Sequence, residues 1–235
     1  MHALIRTART TGLFYLGLAV TGVLGFLVIR SQLFAAGDPA ATLAHLVDNQ
    51  SLARAGVAME LLIVLTQALA AIWFYRLFRT ADPLAASGIA AFGLVNAVTV
   101  LVSAALLATA VEIALDPIGD AATTVQLLYL VSGNLWGVGA LFFGLWLIPM
   151  GACVLRSRWM PRPLGWVLVS GGIGYLLSAF VRYLAPDAQV VSDALAYPAT
   201  VGEFWIVIYL LAIGVRRRAL DEAPREPRRV VPTST

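Results

Sequence analysis

The chain has 235 residues, of which 60% are hydrophobic and 12% charged, with a formal net charge of +3. A soluble domain carries about a quarter charged residues, and several apolar runs here approach or exceed the ~20 residues that span hydrocarbon, so a water-soluble core is excluded. All the basic residues are arginines, a composition that points to a GC-rich bacterial genome. They sit at the ends of apolar runs and not on one basic face, which excludes a nucleic-acid partner.

The first apolar run is Thr11–Ile29, with Arg6 and Arg9 ahead of it. It is longer than the h-region of a signal peptide, so the reading is a retained span. Asp38-Pro39 then opens a short helix over Ala40–Asn49, with Asp at the N-cap and Pro at N1. Leu43, Leu46 and Val47 give it one apolar face, as expected of a helix lying on the outer membrane surface or packed on the bundle. The second span is Ala53–Phe74, closed by Arg76 and Arg79. The third, Leu84–Leu115, exceeds one straight crossing and implies tilt. The fourth is Val125–Leu155, and Pro149 within it removes a backbone hydrogen bond and predicts a bend. After Arg156, Arg158 and Arg162 come a fifth span, Leu164–Leu184, and a sixth, Leu195–Val215. The domain expectation is a six-span region, 1–218, followed by a charged, Pro-rich, disordered cytoplasmic tail, 219–235.

Arginine placement orients this bundle. Arg6, Arg9, Arg76, Arg79, Arg156, Arg158, Arg162 and Arg216–Arg218 fall at one end of the spans. Arg30, Arg54 and Arg182 fall at the other, among seven acidic residues that include Asp38, Glu112, Asp116 and Asp120. By the positive-inside rule the first end is cytoplasmic, with both termini inside a bacterial plasma membrane. Gly133, Gly137, Ala140 and Gly144 recur at three- or four-residue spacing, and on the fifth span Ser170, Gly174 and Ser178 recur every fourth residue. Such faces let helix backbones approach closely, either within the bundle or between copies of the chain in an oligomer.

Ionisable groups inside hydrocarbon are costly and point to function. Glu60 and Glu203 each lie seven or eight residues inside the outer end of their spans, or ~10–12 Å deep at 1.5 Å per residue. Asn134 has a similar depth, while Tyr15 and Asn96 lie deeper. Arg182, Arg54 and Arg30 stand at the outer rim. The binding candidates are therefore Glu60, Asn134, Glu203, Arg182 and Arg54, with an ionised Glu60 or Glu203 paired to Arg182 or Arg54. The same groups would serve equally as an interhelical polar clamp.

Other chemistries are short of residues. The only histidines, His2 and His45, lie outside the spans, which removes a histidine-ligated haem or di-iron site and the base of a Ser-His hydrolase. The single cysteine, Cys153, removes internal disulfides and cysteine-based metal sites. No cofactor or metal is implied. Glu60 and Glu203 together retain the capacity for proton transfer or for holding a hard cation.

The segment Arg156-Ser157-Arg158-Trp159-Met160-Pro161-Arg162-Pro163-Leu164-Gly165, followed by Gly172-Ile173-Gly174-Tyr175, resembles the signature of the bacterial DUF4386 membrane proteins. Gly12-Leu13-Phe14-Tyr15-Leu16, Phe142-Phe143-Gly144 and the stretch from Pro198 to Gly202-Glu203 extend the resemblance across nearly the whole chain. It implies a multi-pass membrane architecture and supplies no catalytic residues. The Gly202-Glu203 match raises Glu203 over Glu60. Ahead of Phe142 the family carries a more polar segment than Ser132–Trp136 does here, which separates Asn134 from the pattern.

The expected fold is thus all-α: six transmembrane helices plus a short amphipathic helix on the outer surface. The expected function is binding or transport of a small solute, proton or lipid through an outward-facing polar pocket, with membrane lipids as partners. The alternatives are a lipid-modifying enzyme using Glu203 or Glu60, and a structural or regulatory membrane partner with no site.

Overall fold

The computed structural model describes residues 2–216, so the tail assigned to 219–235 lies outside the described residues. Regular structure within them is helical. Helix α1 (His2–Gly22) runs through a π-helical stretch (Val23–Ile29) into α2 (Arg30–Leu33), and the three make one continuous first span. The short helix α3 (Pro39–Asp48) precedes α4 (Gln50–Phe78), α5 (Pro83–Leu115), α6 (Ala121–Ser157) and α7 (Arg162–Leu184). A 3₁₀ turn (Pro186–Ala188) leads into α8 (Gln189–Ala212). Six of these helical segments are long and apolar enough to cross a membrane.

Three of the helix starts share one device. Asp38, Asp82 and Asp120 accept hydrogen bonds from the backbone N–H groups of Ala41, Ala85 and Thr123 at 2.9, 3.0 and 3.1 Å. Each carboxylate satisfies a donor that the first turn leaves orphaned. Pro39 and Pro83 follow two of the caps and preset the first helical φ.

The helices extend past the apolar runs because nothing stops them at the hydrocarbon boundary. The first span begins at His2, well ahead of Thr11, and ends only before Gly37-Asp38-Pro39. The sixth begins at Gln189 and not at Leu195, and Ser192 in its added turns is buried and donates to the Ser178 carbonyl at 3.1 Å. Helix α6 continues through Pro149 without a break in its assignment. The short helix α3 packs against α4, α5 and α6 at the acidic end of the bundle. Its buried face is Thr42 and Leu46, and Val47 is exposed. Thr42 Oγ1 donates to Gln126 Oε1 at 2.7 Å, which ties α3 to the start of α6.

Short connections make consecutive spans antiparallel neighbours. The spans pack in chain order, α1 on α4, α4 on α5, α5 on α6, α6 on α7 and α7 on α8, and α8 returns to α1 to close the ring. The α1–α8 seam is the most sparsely packed of the six. Tyr15, Phe74 and Trp146 meet edge-to-face at 5.4–5.6 Å near the middle of the bundle.

The small-residue faces are occupied within the chain. A methyl group on Gly172 would lie 2.8 Å from the Gly144 carbonyl and 2.7 Å from Ile148. At Gly174 it would collide with the Leu195 carbonyl oxygen. Backbones therefore touch directly along α6–α7 and α7–α8, as expected where lipid gives no hydrophobic drive between helices.

These contacts predict that Gly172→Ala costs about 1–3 kcal/mol through overpacking. Gly22→Ala, whose methyl would meet nothing within 4 Å, is tolerated or slightly stabilising because a helical glycine is replaced. Thermal unfolding of the two variants in the same detergent checks the contrast.

At the arginine-rich end Asp82 is both the cap of α5 and the ion-pair partner of Arg156. The bond from Ala85 N–H, and then Arg156 beside it, hold its carboxyl below the usual carboxylate range. A lowered folded-state value stabilises the fold at pH above the unfolded value, and the stabilisation is lost as pH falls through the folded value. Acidification from about pH 5 to below about pH 3 should therefore lower the unfolding midpoint of wild type more than that of Asp82→Asn.

Candidate functional site

Glu203 lies on α8 and Tyr15 on α1, and the phenol donates to Glu203 Oε1 at 2.6 Å. The same two helices are in close contact one to two turns nearer the arginine-rich end, where a methyl on Gly12 would lie 2.9 Å from Leu210 Cβ. Tyr15 is buried against Phe74 and Trp146, so its hydroxyl is held in place. Glu203 keeps partial exposure.

Beyond this bond α1 and α8 part. The π-helical continuation of the first span packs on α4, and a cavity of about 350 Å³ lies between it and α8. Ala19, Gly22, Val23 and Phe26 form one wall, Phe204 and Val207 the other, and Trp136, Phe143 and Tyr175 the floor. Glu203, Tyr15 and Thr200 supply polar atoms. Leu16, Val23, Leu27 and Phe204 line the cavity and are also exposed on the helical surface, so the opening is sideways, between the first and sixth spans.

Glu60 stands apart from this cleft. It is 5% exposed, and its Oε1 accepts from the indole N–H of Trp136 at 3.0 Å. Its Oε2 is buried with no hydrogen-bond partner among the described residues. Across a small cavity stands Arg30, which donates to Ser132 Oγ at 2.8 Å and to the Tyr129 carbonyl. Ser132 bonds in turn to Ser103 Oγ at 2.8 Å. Phe26, Phe34 and Tyr129 surround the guanidinium with ring centroids 5.4–5.6 Å away, within cation–π range.

The π-helical stretch explains how a rim arginine comes to face inward. Its widened turn ends on a bond from Arg30 N–H to the Gly25 carbonyl, five residues back. Such turns are uncommon and, inside α-helices, are found frequently at functional sites. Gly25 sits in it because α4 is close: a methyl there would lie 3.1 Å from Met59 Cβ.

The two carboxylates do not share one layer. Met59, next to Glu60, packs at the level of Gly25, whereas Glu203 bonds at the level of Tyr15. Along the first span the ten residues from Tyr15 to Gly25 amount to about 15 Å at 1.5 Å per residue. Counting from apolar-run boundaries hid it, because α8 starts at Gln189 and places Glu203 fourteen residues inside its helix, against ten for Glu60 in α4. Trp136 stands between the two sites: it bonds Glu60 and also floors the cleft.

Asn134 does not join either carboxylate. Ser132 and Trp136, four residues apart, define the inward face of α6. At 100° per residue Asn134 points away from both, and it is exposed. Arg54 is exposed as well. Arg182 is exposed beside Gly137. Neither arginine pairs with Glu60 or Glu203; among the described residues the ion pair is Asp82–Arg156. The residues missing from the sequence-derived candidates are Tyr15, Arg30 and Trp136, of which the last two had a readable signal. Their signal was spacing: Phe26, Arg30 and Phe34 at four-residue intervals, and Ser132 and Trp136 likewise.

A ring of six apolar helices with a side-opening cleft defines a multi-pass helical membrane protein. The chain belongs to the DUF4386 family, described as a domain of unknown function, which it matches over residues 10–214. No curated protein and no solved structure matches it.

The geometry around Arg30 predicts that Arg30→Met destabilises the protein by about 2–4 kcal/mol, since it strands Glu60 without a nearby cation and frees Ser132 and the Tyr129 carbonyl. Arg54→Gln, on an exposed surface, changes stability by less than about 0.5 kcal/mol. Unfolding midpoints in detergent separate the two.

Proposed function

We propose that this protein binds an amphiphile from the surrounding bilayer, a molecule with a hydrocarbon body and a hydrogen-bonding head. It enters sideways between the first and sixth spans, and its head meets Glu203 and Tyr15. The observation that carries this reading is the composition of the cleft: apolar and aromatic walls over most of its surface, with polar atoms from Glu203, Tyr15 and Thr200. Apolar pockets with a few convergent polar groups are the usual form of small-molecule sites. A hydrated ion or polar solute would leave its hydrogen-bonding groups unmatched against Val23, Phe26 and Phe204. A lipid-like ligand matches both parts.

In this reading the arginine-rich end faces the cytoplasm of a bacterium, in keeping with the positive-inside rule. The cleft then opens in the outer half of the plasma membrane. Glu203 accepts or donates a hydrogen bond according to its protonation, and Tyr15 fixes the rotamer from which it does so. Binding, and handing the ligand on, need no covalent chemistry.

The test uses the full chain in nanodiscs with a photoactivatable long-chain alcohol as probe. The expected result is saturable labelling of the first and sixth spans near Val23 and Phe204, abolished by Ala19→Trp, which fills the cleft. Glu203→Gln should retain the fold and weaken labelling by about tenfold, the value of one or two buried hydrogen bonds. Labelling spread evenly over exposed apolar positions such as Leu61 and Leu177, and untouched by Ala19→Trp, would contradict the proposal.

A further inference from the structure

We propose that a second site, at the opposite end of the bundle, binds the phosphate of an anionic phospholipid. Where the first and second spans meet at the arginine-rich end, a hollow of about 300 Å³ is lined by Ala3, Arg6, Thr7, Thr10, Trp73 and Arg76. Arg6 comes from the start of α1 and Arg76 from the last turn of α4. Among the described residues no acidic side chain lines the hollow. Neither arginine forms an ion pair with a described residue, the one described pair being Asp82–Arg156.

Two guanidinium groups facing one concavity repel each other unless an anion lies between them. The planar fork of each arginine suits phosphate oxygens, which it meets through paired N–H donors. A tetrahedral phosphate has enough acceptor oxygens to take hydrogen bonds from both arginines at once. Basic pockets between spans are a recurrent form of headgroup recognition.

The surroundings favour a lipid as the source of that phosphate. Arg76 lies over the Trp73 ring at 5.9 Å, and Phe14 meets the same ring edge-on at 5.3 Å. An indole beside a cation at a span end is the side-chain pattern of the headgroup level. One turn further toward the bundle centre, Leu13 on α1 and Ile72 beside Trp73 are exposed apolar surface, where acyl chains can lie below the headgroup. Arg9 and Arg79 are at the same end of the same helices and do not line the hollow. They therefore separate a built site from the general pull of positive charge on an anionic leaflet.

The experiment measures the unfolding midpoint of the full chain, and lipid retention by native mass spectrometry, with phosphatidylglycerol against phosphatidylcholine. Wild type should be stabilised by, and retain, phosphatidylglycerol selectively. Arg6→Gln/Arg76→Gln should weaken that preference by roughly tenfold or more, as expected for two phosphate-contacting cations, while Arg9→Gln/Arg79→Gln keeps it. Equal losses in both double variants, or no preference in wild type, would overturn the proposal. Inorganic phosphate added with phosphatidylcholine distinguishes the sources: full stabilisation by the free ion would overturn a lipid ligand. Should the arginine variant fail to fold, Ala3→Trp fills the hollow with both charges kept, and retained selectivity in it would contradict the site.

Discussion

The hydrogen bond from Tyr15 to Glu203 joins the first and last spans at the point where they separate. On the arginine-rich side of it the two helices touch through Gly12 and Leu210. On the other side the first span continues along α4, and the cleft lies between it and α8. Closing a ring of six helices leaves one seam that no short connection enforces, and here that seam is held by a buried phenol–carboxylate contact. A polar contact in hydrocarbon is an effective clamp because its alternative is an unsatisfied group. The same contact puts an ionisable group at the end of an apolar cavity, so the clamp and the proposed binding determinant are one feature.

The second polar centre, Arg30 with Glu60, holds the first span away from α8. Arg30 bonds to α6 through Ser132 and the Tyr129 carbonyl, and the π-helical turn delivers it there. Phe26 packs beside both Arg30 and Trp136 and lines the cleft. The cleft and the Arg30–Glu60 cavity thus share an aromatic partition built from Phe26 and Trp136. Phe26 is therefore the side chain that Arg30 and the wall of the cleft have in common.

The architecture was legible in the sequence because lipid imposes it: apolar length sets the spans, and Asp38-Pro39 sets the start of α3. The carboxylates were legible for the same reason, since Glu60 and Glu203 stand out in apolar runs. Their partners were not. Depth counted from apolar boundaries misjudged Glu203 because α8 continues beyond hydrocarbon through Gln189–Ala194. Rim arginines were expected as partners from proximity in depth, yet Arg54 and Arg182 face outward while Arg30 faces in. That inversion rests on a local π-helical turn, which neither hydropathy nor propensity reports. Asn134 shows the simplest limit: polarity and depth say nothing of helix rotation, which the inward pair Ser132 and Trp136 decides.

The central claim is that the first and sixth spans are joined near Tyr15 and parted beyond it. Electron–electron distance measurements between paired spin labels test it directly, in lipid, on a chain with Cys153 replaced by Ser. One pair sits at the exposed positions Leu13 and Ile208, on the joined side, and the other at Leu27 and Val191, on the parted side. The account predicts a longer and broader distribution for the Leu27–Val191 pair, which narrows when the cleft is occupied. Equal, narrow distances at both levels would mean that the spans are packed along their whole length, and would contradict it.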